Sequence, residues 1–178
     1  MKSARFGVAL LSVVIGAAAF YYFCLLPYRC NRIESIQTAA IAVAFRNATS
    51  TGGRIMARRN LDALWPCRAA SCRSVGIDML LAANYRILGE EQEAILCYRD
   101  ALRLDRRPEI YLNLARAELA AGDRSSAREH FLRSALFNPW MLESIEDGAI
   151  RQEVVQRLIA SHPEAAADIR YIDSVVLP

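Results

Sequence analysis

Residues 6–26, FGVALLSVVIGAAAFYYFCLL, run for 21 positions without a charge. A helix of that length reaches about 30 Å, the thickness of a bilayer's hydrocarbon core. Beyond Pro27 the pattern becomes periodic: Ile33, Ile36, Ala40, Val43 and Ala44 recur near helical spacing and predict a helix over residues 32–47. Its uncharged stretch, residues 35–45, is too short to span a bilayer again, so it buries against protein or lies at an interface. Thr49, Ser50, Thr51, Gly52 and Gly53 break the pattern and predict a hinge or loop. A further helix is expected over residues 54–65, carrying Ile55, Met56, Leu61, Leu64 and Trp65, with Pro66 as its stop.

From residue 75 the pattern repeats. Gly89, Ala94 and Tyr98 return as Gly122, Ala127 and Phe131 at a constant offset of 33 residues, and Leu81-Ala82 returns as Leu114-Ala115. Each unit therefore predicts a helix, a tight turn at glycine and a second helix. Ala82, Ala94, Ala101, Ala115 and Ala127 remove bulk where helices cross, and Tyr98 and Phe131 fill the gaps beside them. After Pro139, short helices are expected over residues 140–145, 149–160 and 165–169. Ile150, Val154, Val155, Leu158 and Ile159 offer a covering face for the last repeat. Ile172, Val175, Val176 and Leu177 form an apolar tail, suited to fold back on that cap or to dock into a partner.

These positions resemble the tetratricopeptide repeat (TPR) pattern, W-x2-L-G-x2-Y, then A-x3-F, then P, over about 34 residues. Leu81, Ala82, Tyr85, Gly89, Ala94, Tyr98 and Ala101 follow it in the first unit, with Asp78 in an aromatic position and no closing proline. Tyr111, Leu114, Ala115, Gly122, Ala127, Phe131 and Pro139 follow it in the second, where Glu118 replaces an aromatic. Together with the apolar run and the covering face, the resemblance implies an all-α chain: an N-terminal transmembrane helix, a short TPR-like helix-turn-helix solenoid and a C-terminal helical cap. The expected divisions are a tail (1–5), the span (6–26), basic membrane-proximal helices and linker (27–74), two repeats (75–139), and capping helices with a tail (140–178). A degenerate helix pair in residues 54–74 is a possible forerunner of the repeats. By the same resemblance, partner peptides or helices would enter a groove lined by Met79, Leu80, Ala83, Arg86, Leu112, Asn113, Arg116 and Leu119, unless the chain's own residues 33–65 fill it.

Charge changes the picture by its distribution. The formal net charge is +3, divided into +8 over residues 1–75 and −5 over residues 76–178. The bases near the span, among them Arg29, Arg32 and Arg46, lack interleaved aromatics, which argues against nucleic acid and for anionic lipid headgroups or an acidic protein partner. Lys2 and Arg5 precede the span, which extends past the small residues Ala17, Ala18 and Ala19 where a cleaved signal would end. The expected topology is a single-pass anchor with a cytoplasmic N-terminus and the repeats periplasmic or otherwise extracytoplasmic; the opposite sidedness is the alternative.

Five cysteines leave at least one unpaired, and the closest two, Cys67 and Cys72, are the candidate disulfide. His130 and His162 lie far from any cysteine, so no metal site is expected, and His130 reads as a surface or groove residue. Phosphate-binding, dinucleotide-binding, nucleophile-elbow and metalloprotease motifs are all missing from the sequence. No catalytic residue and no cofactor are therefore expected. Two functions fit: a scaffold or accessory subunit that organises membrane-complex subunits, or a peptide-binding adaptor, chaperone-like, for envelope or secreted proteins.

Overall fold

The computed structural model describes residues 12–69 and 74–176, and among these there is no β-strand. Helix α1, Ser12–Arg46, is unbroken over 35 residues and is long and apolar enough to cross a membrane. Its first part shows Val13, Ile15, Phe20, Tyr22 and Phe23 outward, each more than half exposed. Five residues, Tyr21–Leu25, form a π-helical turn in which the Leu26 N–H reaches the Tyr21 carbonyl. That wider turn explains why Pro27 does not end the helix. Proline cannot donate to the carbonyl four residues back and its ring crowds it, and a π-bulge just upstream makes the needed room.

The chain then folds into antiparallel helices: α2 (Thr51–Ala69), α3 (Val75–Leu88), α4 (Glu91–Leu104), α5 (Pro108–Ala120) and α6 (Arg124–Phe137). A 3₁₀ turn (Pro139–Ser144), α7 (Gly148–Ser161), a second 3₁₀ turn (Pro163–Ala165) and α8 (Ala166–Val176) follow. Each of α1 to α7 packs on its successor, with α1 also touching α3. The pairs α3/α4 and α5/α6 are the two repeats read from the sequence. Ahead of them α1 and α2 pack on each other as a further helix pair.

The turns show the repeat at the level of single backbone bonds. Gly89 and Gly122 have φ of 78° and 87°, the left-handed region in which glycine carries no Cβ penalty. Glu90 N–H reaches the Tyr85 carbonyl at 3.0 Å and Asp123 N–H the Glu118 carbonyl at 2.9 Å, so both helices end in the same Schellman closure. Ala82, Ala94, Ala101, Ala115 and Ala127 are fully buried, and Tyr98 and Phe131 are 2 % exposed.

Two cores meet on α5. Ile110, Leu114 and Ala117 face a core shared with Cys30, Leu61, Leu64, Ile77, Leu81, Ile95 and Tyr98. Leu112 and Ala115, on the opposite side of the same helix, join Phe131, Leu142, Ile150, Val154, Leu158, Ile169 and Ile172. The capping face expected from Ile150, Val154, Val155, Leu158 and Ile159 is formed, and Ile172 folds back onto it while Val175 stays exposed. Asp147 caps α7 by accepting from Ile150 N–H at 3.0 Å and pairs with Arg124 of α6 at 2.7 Å. Hydrogen bonds from the Ile150 N–H, with Arg124 nearby, hold its carboxyl below the usual range.

Two local expectations give way. The hinge at Thr49 to Gly53 is confined to residues 47–50, and both glycines lie inside α2. Ser50 Oγ accepts from the Gly53 N–H at 3.0 Å as an N-cap, and a Cβ on Gly53 would stand 2.0 Å from the Asn47 carbonyl oxygen. Pro66 does not stop α2, which runs to Ala69. Its last turn is held by tertiary bonds from Arg68, described below, that outweigh one lost backbone bond.

Gly53→Ala is therefore expected to destabilise the domain by about 1–3 kcal/mol. The neighbouring Gly52→Ala, whose new methyl meets only Ser50 Oγ at 3.7 Å, is expected to stabilise by about 0.5–1 kcal/mol. Urea unfolding of both variants checks the contrast.

Candidate interaction surface and its buried supports

Along the inner side of the repeats, Arg86 from α3, Arg116, Leu119 and Ala120 from α5, Phe131 from α6, and Ser144 and Glu146 from the connection to α7 enclose a cavity of about 210 Å³. That is below the roughly 300–1,000 Å³ of small-molecule pockets and matches one inserted side chain. Arg116 donates to the Ser144 carbonyl at 2.8 Å, which fixes its guanidinium on the cavity wall. Arg86 Nε stands 3.6 Å from the Glu91 carboxylate. Burial raises the Glu91 carboxyl pKa more than Arg86 lowers it.

Three of the eight expected groove residues, Arg86, Arg116 and Leu119, thus meet at one cavity. Leu80, with Met79 half-buried beside it, belongs to the core shared with α1 and α2. Leu112 is 6 % exposed and belongs to the cap core. Ala83 and Asn113 are half-buried. The resemblance implied one groove for these positions; which of them stay accessible is decided by α1, α2 and the cap.

Behind this surface stand charged groups at positions the repeat pattern reserves for aromatics. Asp78 is fully buried and its carboxylate lies 3.0 Å from Arg68 Nε of α2. Arg68 also bonds Asp100 of α4, which Arg103 reaches at 2.8 Å, and stacks 5.1 Å over the Trp65 ring. Glu118, likewise fully buried, accepts from Arg99 of α4 at 3.1 Å and lies 2.6 Å from His130 Nδ1 of α6. His130 is therefore no free surface or groove residue: it is half-buried, bonded to Glu118 and stacked on Tyr111. A signal existed for both clusters, since a carboxylate at a core position requires a partner. The partners lie on other helices, where spacing along the chain does not reveal them.

The expected Cys67–Cys72 bridge is corrected by the thiols. Cys67 is a buried free thiol, as is Cys97, whereas Cys30 of α1 is disulfide-bonded; Cys72 lies outside the described residues. Adjacency in sequence favoured Cys67, but inside α2 its Sγ points to the Ala63 carbonyl, 3.9 Å away. Burial pushes the Cys97 thiol up to about 11 despite nearby Arg68, and raises Cys67 as well despite Arg29. Among the described residues no group of three or more His, Cys, Asp or Glu side chains is placed to hold a metal.

Two outcomes follow from these supports. Asp78→Ala leaves Arg68 partly buried beside a void and is expected to cost about 3–5 kcal/mol, whereas the paired replacement Arg68→Met with Asp78→Leu recovers most of that loss in the same unfolding assay. At pH 8 Cys97 holds about one thiolate per thousand molecules. A water-soluble maleimide should therefore spare Cys97 and Cys67 until denaturant is added, and non-reducing peptide mapping should place Cys30, not Cys67, in a cross-linked peptide.

The chain matches no protein-family model and no curated protein. Among solved structures it resembles the crystal structure of TTC0263, a thermophilic TPR protein of Thermus thermophilus, with a TM-score of 0.57 and 18% sequence identity. The similarity covers 88% of this chain and 76% of that one. The chain has a TPR-like helical-repeat fold.

Proposed function

We propose that the chain is a non-catalytic, single-pass scaffold or accessory subunit that organises a membrane protein complex, with the span cytoplasmic at its N-terminus and the repeats extracytoplasmic. The observation that carries this reading is the continuity of α1. One helix includes the described part of the apolar segment, from Ser12, and the first helix of the stack, so the platform is mounted on its anchor without a flexible joint. Just beyond the apolar segment, α1 keeps Ile36 55%, Val43 37% and Phe45 46% exposed. Exposed apolar side chains that follow a span are suited to a neighbouring subunit's helices.

Mild-detergent purification of the tagged full-length protein should recover a constant, stoichiometric set of membrane subunits. Ile36→Asp with Val43→Asp should weaken that recovery by roughly tenfold, equivalent to about 1.4 kcal/mol, while Arg86→Glu with Arg116→Glu leaves it intact. The cavity at Arg86 and Arg116 favours a second reading, a peptide-binding adaptor for envelope or secreted proteins. That reading takes over if the protein is recovered alone or with a changing population of clients, and if the arginine variant is the one that loses them.

A further inference from the structure

The antiparallel order of the helices places one edge of the repeat stack on the side from which α1 arrives. A cavity bounded by Tyr21, Leu26, Arg29, Cys30 and Ile33 of α1 is closed by Pro66 and Cys67 of α2, so the end of α2 stands beside the end of the apolar run. Ser74, which caps α3, donates to Glu34 of α1 at 2.9 Å. Arg68 bonds Asp100 in the last turns of α4, and Ser134 near the end of α6 donates to the Pro108 carbonyl at the start of α5 at 2.8 Å. These ties put the α4–α5 turn and the α6 terminus at one edge, level with the first turns of α1 beyond the apolar run.

That edge is unusually amphipathic for a domain whose net charge is negative. Leu104 is 48%, Phe137 59% and Trp140 50% exposed, and the exposed Arg106 and Arg107 lie between them in sequence. Arg107 shares Asp105 at 2.7 Å, no ion pair engages Arg106 among the described residues, and two further exposed acids, Glu109 and Glu143, follow Arg107 and Trp140 in the chain. Arginine stems with aromatic rings are the composition of a bilayer interface, where the ring sits among headgroups and the guanidinium meets phosphate. The distance agrees. Glu34 stands eight positions past Leu26, about 12 Å along the helix. A headgroup layer occupies roughly 5–8 Å of that rise, and the reach of a tryptophan or arginine side chain spans the remainder.

We propose that the edge carrying Leu104, Arg106, Arg107, Phe137 and Trp140 rests on the phospholipid headgroups of the same bilayer that α1 crosses, a second attachment that lays the repeats along the membrane surface. The proposal rests on the membrane-anchored reading above. The ligand chemistry is a phospholipid headgroup surface, with apolar insertion as the main contribution and the Arg106 guanidinium meeting a lipid phosphate.

The test uses the full-length protein in nanodiscs of neutral or anionic phospholipid brominated near the carbonyl end of the acyl chains. The sequence has two tryptophans, so Trp65→Phe leaves Trp140 as sole reporter. Its emission should fall about twofold against unbrominated discs. Phe137→Ser with Arg106→Glu should abolish the quenching while helix content and co-elution with the disc persist. If Trp65→Phe unfolds the domain, the difference between the wild type and Trp140→Phe reports the same quantity. Co-elution with Trp140 emission indifferent to bromine overturns the surface attachment and leaves the anchor standing; failure to enter the disc overturns the anchor, and the attachment with it.

Discussion

The buried carboxylate of Asp78 constrains much of this fold. A desolvated charge is tolerable only where partners are fixed around it, and Arg68 supplies the partner from the preceding helix while bonding Asp100 on the following one. Three helices are thereby held in register by one guanidinium. The same bonds explain why α2 continues through Pro66 and why Arg68 lies over the Trp65 ring. Apolar contacts alone would permit small slides of α2 along α3. The ionic cluster, with Asn60 bonded to Asn84 at 3.1 Å and Trp65 to Tyr85 at 3.0 Å, selects one alignment.

Glu118 does the corresponding work one repeat later, with Arg99 and His130 on either side. The two clusters differ in detail yet share a logic. Each puts an acid on the first helix of a repeat and a base on the helix before it, so the interface between repeats carries polar specificity as well as apolar area. This makes the α1/α2 pair an integral part of the stack, because the base that satisfies Asp78 comes from it.

Much of this architecture was legible where physics acts locally. Gly89 and Gly122 announced their turns, because a closure of this kind needs a left-handed residue. The alanine and aromatic positions announced their packing, because repeated helices cross at repeated places. The errors fall where distant groups outweigh local preference. Pro66 read as a helix end, but ion pairs from Arg68 hold the turn that contains it. Gly52 and Gly53 read as a hinge, but a serine cap and a close backbone approach draw them into a helix. His130 read as solvent-facing because Glu118, twelve residues upstream, belongs to another helix. Cys67 read as a disulfide partner for its neighbour, when the bonded cysteine is Cys30 on α1. Of the groove the resemblance implied, Arg86, Arg116 and Leu119 meet at one cavity, while burial of Leu80 and Leu112 depends on how neighbouring segments close over them.

The unbroken course of α1 also has a kinetic meaning. A domain on a flexible tether explores a hemisphere of orientations, and most encounters with a neighbour present the wrong face. A platform continuous with its anchor, on the membrane reading, keeps lateral diffusion and rotation about a single axis. The search for a partner collapses from three dimensions to two, and much of the orientational entropy that association normally forfeits is already gone before contact. Weak individual contacts then suffice for a long-lived assembly, which suits a surface whose exposed apolar residues are scattered along an edge rather than gathered in one deep groove.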